Sequence, residues 1–295
     1  MASDRRPVLV LGATGRQGGS VVRALLKARQ PVRALVLDAV EPRAAALRDA
    51  GVEVVTGSFT DNCSLEAAMQ DMYGVFSVLP AGYAAVDEVC YGISIADLAV
   101  GSGVEHFIYS SGASVGDKLT GVDRFDAKAR IEAHVRTLPI VATIVRPMIF
   151  MEMLVRPGFG LDQGRLLSLI HPEQSIQLTA VDDIGKFVAA IFADRTRFGG
   201  MTLKIASDRL TGRDIGAALT EGAGHAISYA RLPDDAIAAS PDLAHMAESL
   251  ENGPLAEHVD LEAMRRINPD IVSFRVWLST GGRKAFEEAL GKTAA

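Results

Sequence analysis

The sequence predicts an α/β fold, a doubly wound parallel sheet followed by a smaller C-terminal lobe, and three observations point to it. Short, unbroken apolar runs alternate with stretches of helical period from residue 7 to 146; a glycine-rich turn joins the first run to the first helical stretch; and the alternation ends at Arg146-Pro147. Runs this short and continuous are buried on both faces, and the helical stretches between them provide the cover, which is the signature of βαβ units.

In order, the strands are Pro7 to Leu11, Val32 to Leu37, Val52 to Val55, Val75 to Leu79, His106 to Tyr109 and Ile140 to Val145. The helices between them are Gln17 to Ala28, Glu41 to Ala50, Cys63 to Met72, Asp87 to Val100 and Asp126 to Arg136, each with apolar residues near i, i+3, i+4 and i+7. A domain boundary is expected at 147, giving a sheet domain 1–147 and a lobe 148–295 that completes a cleft. Within that lobe Met148 to His171 is a mixed segment, and a helix is expected from Asp182, whose carboxylate would cap it. A strand near Met201 to Ile205 and a helix from Thr211 follow.

Composition narrows the function. The chain has 295 residues, 48% hydrophobic and 22% charged, with a formal net charge of −6 and no block of five like charges, so no basic stripe is present to neutralise phosphates of a nucleic acid. Cys63 and Cys90 lack the spacing of a disulfide framework or a zinc site, and the six histidines never fall at i, i+3 or i, i+4, so no metal is expected. Neither a signal peptide nor an apolar stretch long enough to span a bilayer is visible, and a cytoplasmic location is expected.

The strongest signal is Gly12-Ala-Thr14-Gly15-Arg16-Gln17-Gly18-Gly19, set between the first strand and the amphipathic Ser20 to Leu26. Glycines at this spacing permit a tight turn, close approach of backbone to a pyrophosphate and close packing of helix on strand, while the helix N-terminus directs positive partial charge at the phosphates. The next strand ends at Leu37-Asp38, and Asp38 lies 20 residues after Gly18, where a carboxylate can accept hydrogen bonds from the adenosine ribose. Read that way, Asp38 favours NAD over NADP; read as a solvated strand end it has no preference. Arg16, Arg33 and Arg43 are the candidates that could reach a 2′-phosphate and restore NADP binding.

Together with this loop, Phe125-Asp-Ala-Lys128-Ala-Arg-Ile-Glu132 and Asn268-Pro-Asp-Ile-Val-Ser-Phe-Arg-Val-Trp277-Leu278 resemble the NmrA-like family, atypical members of the short-chain dehydrogenase/reductase superfamily. The resemblance runs over about residues 7–280 and implies a Rossmann domain, a smaller lobe, bound NAD(P), and a role either as a dinucleotide-sensing regulator or as a reductase of quinones and related acceptors. Where many relatives have a basic residue this chain has Leu37, and where they often have an acid it has Ser58, which leaves adenine to Phe59 and backbone groups. Leu79 and Pro80, at the end of the fourth strand, complete the expected cofactor contacts.

Short-chain dehydrogenases place a tyrosine four residues before a lysine that holds the nicotinamide ribose. Lys128 fills the lysine position, as a ribose ligand or as a plain solvated cation, but Arg124 stands where the tyrosine would be, and a guanidinium is not a proton shuttle at neutral pH. The fifth strand ends Tyr109-Ser110-Ser111, which by resemblance lies beside the nicotinamide, so Ser111 and Lys128 are the candidate catalytic residues. Gly112-Ala-Ser-Val-Gly116 also fits G-x-S-x-G, yet a nucleophile elbow turns at once into a helix and Asp117 to Val122 reads as loop. His171 and the Met148 to Leu154 stretch are candidates for lining a pocket. Two functions stand: a dinucleotide- or redox-responsive regulator with a protein partner, placed first because the proton donor is missing, and an NAD(P)H-dependent reductase of a quinone-like or conjugated acceptor.

Overall fold

The computed structural model describes residues 6–116 and 118–291; of the residues read above, Asp117 and the side chain of Arg124 lie outside the described set. The alternation is realised as β1 (Val8–Val10), α1 (Arg16–Lys27), β2 (Val32–Val36), α2 (Pro42–Asp49), β3 (Glu53–Thr56), α3 (Asn62–Met69), β4 (Gly74–Ser77), α4 (Ala85–Gly101), β5 (His106–Ser110), α5 (Asp123–Val135) and β6 (Ala142–Pro147). The seven-stranded sheet has the order Thr202–Ile205, β6, β5, β4, β1, β2, β3. From β3 across to β6 every pairing is parallel, with Val8 opposite both Val32 and Gly74. Strand order therefore reverses between β1 and β4, the switch point at which the carboxyl ends of such a sheet open a crevice for ligand.

Helices α3, α4 and α5 cover one face of the sheet: Leu65, Met69, Ile95, Ala96, Ile131 and Val135 form one apolar cluster with Leu9, Val75, Phe107, Tyr109 and Ile144. The α4–α5 crossing is close, since a β-carbon on Gly92 would stand 2.5 Å from Ile131 Cδ1. On the other face, a β-carbon on Gly185, in the helix Val181–Ala193, would stand 2.2 Å from the carbonyl oxygen of Ser20 in α1.

Under that face lies His106, fully buried on β5, its ring edge-on to Phe192 at 5.4 Å. Thr143 gives its hydroxyl hydrogen to the Phe198 carbonyl, so the 2.8 Å contact between Thr143 and His106 Nε2 is donated by the imidazole. Burial, with help from the Arg195 charge, pulls the His106 pKa down to about 4. Between about pH 4 and the ordinary histidine value of 6.5 the folded chain then binds fewer protons than the unfolded one, and stability falls as pH drops through that window. His106→Gln is expected to remove about 3 kcal/mol of that loss, read from denaturant unfolding at several pH values; an unchanged slope across this window would refute a neutral His106.

The chain divides into two compact units, one running to Arg146 and taking in Ile184–Leu203, the other holding Pro147–Asp183 and Lys204 onward. The second unit contains a three-stranded sheet ordered Asp208–Thr211, Ser175–Thr179, Ile149–Phe150 and a parallel pair of Ser228–Arg231 with Arg165–Ser168. Thr211 caps the helix Gly212–Ala223 in a capping box with Asp214, so the helix expected from Thr211 begins one residue later. Asp182 departs from expectation: the helix starts at Val181, which places Asp182 inside the first turn, where its charge faces the positive end of the helix but it is not the capping residue. Buried Asp183 receives the Val272 amide at 3.0 Å and the Ser207 hydroxyl at 2.7 Å, and Asp208 receives the Phe274 amide at 2.7 Å. The Asn268–Leu278 motif is thus held by two carboxylates that satisfy its main chain. Among the described residues, no helix is long and apolar enough to cross a membrane and no group of three or more His, Cys, Asp or Glu side chains could hold a metal ion.

Candidate functional site

The glycine loop opens the site. Gly12 has φ +71°, and a β-carbon there would stand 2.9 Å from the Val78 carbonyl oxygen, so the chain turns away from the sheet only because the residue has no side chain. Gly18 is packed hardest: a β-carbon would lie 2.1 Å from the Gly12 carbonyl oxygen, and its absence seats the first turn of α1 on the loop. Gly15 differs, since a β-carbon there would meet only the Gly12 oxygen, at 3.1 Å; the space beyond it is open. Gly15 is also the N-cap of α1 and supplies no capping side chain, leaving the amides of the first turn to an outside acceptor. Arg16 is exposed at the first helical position, and Thr14 offers its carbonyl to Arg43 Nη1 at 3.5 Å. Gln17 is fixed from across the sheet, its amide oxygen accepting the Ser110 hydroxyl at 2.8 Å.

The strand ends beside this loop carry the remaining expected contacts. Asp38 is exposed and accepts the Val40 amide at 2.8 Å, a turn that starts the connection to α2; Leu37 next to it is 77% exposed. Arg33 is ruled out as a 2′-phosphate ligand. It lies at the start of β2, where it pairs with Glu53 at 2.9 Å and donates to the carbonyls of Ala68 and Gln70; a strand fixes where its side chains point, and this one points at the C-terminal end of α3. Beyond β3, Ser58 closes a turn with the Thr60 hydroxyl at 2.8 Å and Phe59 packs partly buried against the apolar cluster. After β4, Leu79 is buried in that cluster and Pro80 is exposed.

The end of β5 carries the densest polar cluster. Successive side chains of a strand face opposite ways, so Ser110 turns to Gln17 while Ser111 gives its hydroxyl to Glu132 Oε1 at 2.5 Å. Glu132, fully buried on α5, also receives Arg146 Nε at 2.9 Å, Arg146 Nη2 at 2.6 Å and Arg136 Nη2 at 2.6 Å. Burial pushes its carboxyl up, but the hydrogen bonds from Arg146 and Ser111, the Arg146 charge and the Arg136 hydrogen bond outweigh this and hold it below its usual range. One turn earlier on α5, Lys128 Nζ lies 2.7 Å from Glu88 Oε1 of α4, and its stem passes 3.8 Å from the point where a β-carbon on Gly112 would stand. Tyr109, buried beside them, has its phenol pushed well above the ordinary value by burial and by the charges of Glu88 and Glu132. After Gly112 the chain makes a turn rather than a helix, and the hydrolase elbow fails on that geometry. The loop is closed by Asp126, which accepts the amides of Thr120 and Gly121 at 2.7 and 2.9 Å.

Of these residues the sequence reading missed Glu88, Arg146 and the bracing role of Ser110. Glu132 sat inside the motif that was read, unassigned; Glu88 has no local signal, because its partner lies 40 residues on in the chain. His171 belongs to the second unit, exposed and 3.4 Å from Glu251.

With the glycine loop and Lys128 in place, the sequence pattern of the NmrA-like family matches residues 4–265. The chain belongs to the NmrA-like family. The matched stretch takes in the glycine loop and Lys128 to Glu132 and stops short of Asn268–Leu278. An NmrA-like family domain-containing oxidoreductase of Aspergillus hancockii is 31% identical over 241 residues, which cover 72% of this chain and 70% of that protein. Among solved structures, NmrA, a negative transcriptional regulator, in complex with NADP aligns with a TM-score of 0.78 at 20% identity over 97% of this chain and 98% of that one. Triphenylmethane reductase of Citrobacter sp., complexed with NADP(H), aligns with a TM-score of 0.77 at 18% identity over 96% and 100%. At these identities the two structures establish the shared fold.

Proposed function

We propose that this chain is a dinucleotide-responsive regulator: it takes up NAD(P) at the loop Gly12–Gly18, NAD in preference to NADP, and cofactor identity or redox state shifts the form that engages a protein partner. The observation that carries this is the commitment of every candidate acid at the end of β5 among the described residues. Ser111 donates its hydroxyl hydrogen bond to Glu132, the Lys128 ammonium is paired with Glu88, and the Tyr109 phenol is buried and raised in pKa. Such a site can hold a nicotinamide ribose through Lys128 without offering a proton to a substrate. The nucleotide reading is supported by the open space at Gly15, by the uncapped first turn of α1 and by the NADP complex of the regulator NmrA. The preference for NAD rests on Asp38, exposed beside an apolar Leu37, with Arg33 engaged elsewhere.

A second reading, a reductase, is favoured by the relatives bearing that activity in their names. Bound NAD(P)H would supply the hydride there, and this chain would contribute ribose binding and a proton from Lys128. One set of titrations separates the two. Calorimetry is expected to show NADH bound more tightly than NADPH, with Asp38→Ala narrowing the gap; equal losses for both nucleotides would discard the ribose role of Asp38. Reduced-nicotinamide absorbance is expected to hold steady when quinones and triarylmethane dyes are added. A steady fall that Lys128→Ala slows would replace the regulator with the reductase.

A further inference from the structure

Lys128 and Glu132 stand at i and i+4 on α5, a spacing at which a lysine and a glutamate ordinarily pair with each other. Here they do not. Both oxygens of Glu132 are taken by Arg146, Arg136 and Ser111, and a forked guanidinium matches a carboxylate better than an ammonium does. Lys128 is left to reach across the helix seam to Glu88, in the first turn of α4, where the helix dipole already favours a negative charge.

The pair is not needed to hold the two helices together, because Gly92 and Ile131 lock the same seam one turn further along. Its effect falls on the lysine itself. A four-carbon stem carries a point charge that can occupy many rotamers, and a functional ammonium needs a fixed partner to stay in one of them. Lys128 retains 28% of its side-chain exposure while Glu88 retains 10%, so the carboxylate is the more deeply buried member of the pair.

We infer that Glu88 is the positioning residue of Lys128, holding the ammonium at the carboxyl end of β5 so that it meets the nicotinamide half of a bound dinucleotide. This rests on the dinucleotide reading given above and adds to it the residue that orients the lysine.

The test uses the full chain and two probes, NADH and ADP, with ADP reporting the glycine loop alone. For Glu88→Gln, calorimetry is expected to show NADH affinity falling by about tenfold while ADP affinity stays within about twofold of the unaltered chain. Lys128→Met should give the same pattern, and adding Glu88→Gln to it should cause no further loss, since the glutamate acts only through the lysine. Equal losses of NADH and ADP in Glu88→Gln, or a second full loss on top of Lys128→Met, would overturn the inference and leave the dinucleotide reading standing. An unaltered chain that takes up neither probe would overturn both.

Discussion

Gly15→Leu is expected to abolish dinucleotide binding while leaving the melting temperature close to that of the unaltered chain. The residue has φ −86° and ψ 176°, an extended conformation any amino acid adopts, so a side chain there adds no dihedral strain and asks the Gly12 carbonyl to give by only a few tenths of an ångström. Its β-carbon would meet protein only at the Gly12 oxygen, and the rest of the leucine would occupy the open space in front of the first turn of α1, where a pyrophosphate accepts the loop amides. Gly18→Val tests the complementary case. A β-carbon 2.1 Å from the Gly12 oxygen cannot be accommodated without lifting α1 off the loop, and the expected cost is about 3 kcal/mol of stability together with loss of binding. Calorimetry and thermal unfolding on the two variants separate occupation of the ligand space from displacement of the helix. Undiminished affinity in Gly15→Leu would remove the glycine loop from any account of nucleotide binding.

The second large effect is expected at Glu132, on stability. A carboxylate with no exposure is tolerable only because three guanidinium hydrogen bonds and a hydroxyl satisfy it. Glu132→Gln keeps the shape and removes the charge, leaving Arg146, whose side chain is 13% exposed, facing a neutral amide. A loss of about 3 kcal/mol in denaturant unfolding at neutral pH is expected. The pH dependence gives a sharper check. The folded carboxyl is held below the unfolded value of 4.5, so the charged network stabilises the chain fully above 4.5 and that contribution drains away as pH falls through the folded value. Glu132→Gln should therefore differ most from the unaltered chain near neutrality and converge on it in acid; a constant difference across pH would mean the charge is not what the network supplies.

Much of the first unit was legible because its signals are local. Unbroken runs such as Val8 to Val10 and His106 to Ser110 are buried strands, the helical stretches between them fall where periodicity placed them, and the loop glycines have the tight turn and close seat that their spacing demands. What escaped is non-local. Nothing in Asp87 to Val100 marks Glu88 out until α4 and α5 are brought side by side, and Arg146, read only as the last residue before a proline, turns out to be the main partner of Glu132. Arg33 shows the reverse error: as one basic residue near a nucleotide strand it looked eligible for a phosphate, but strand direction sends it to the far end of α3. Asp182 was displaced by one residue, the ordinary uncertainty in where a helix begins.

Ser110 at the end of β5 and Ser111 just after it have a mechanical consequence. Ser110 is tethered to α1 through Gln17 and Ser111 to α5 through Glu132, so the tip of this strand is clamped from above and below. The segment that follows is hitched back to α5 at its far end, by Asp126 gripping Thr120 and Gly121. Both described ends of that segment are thereby moored to the one helix α5.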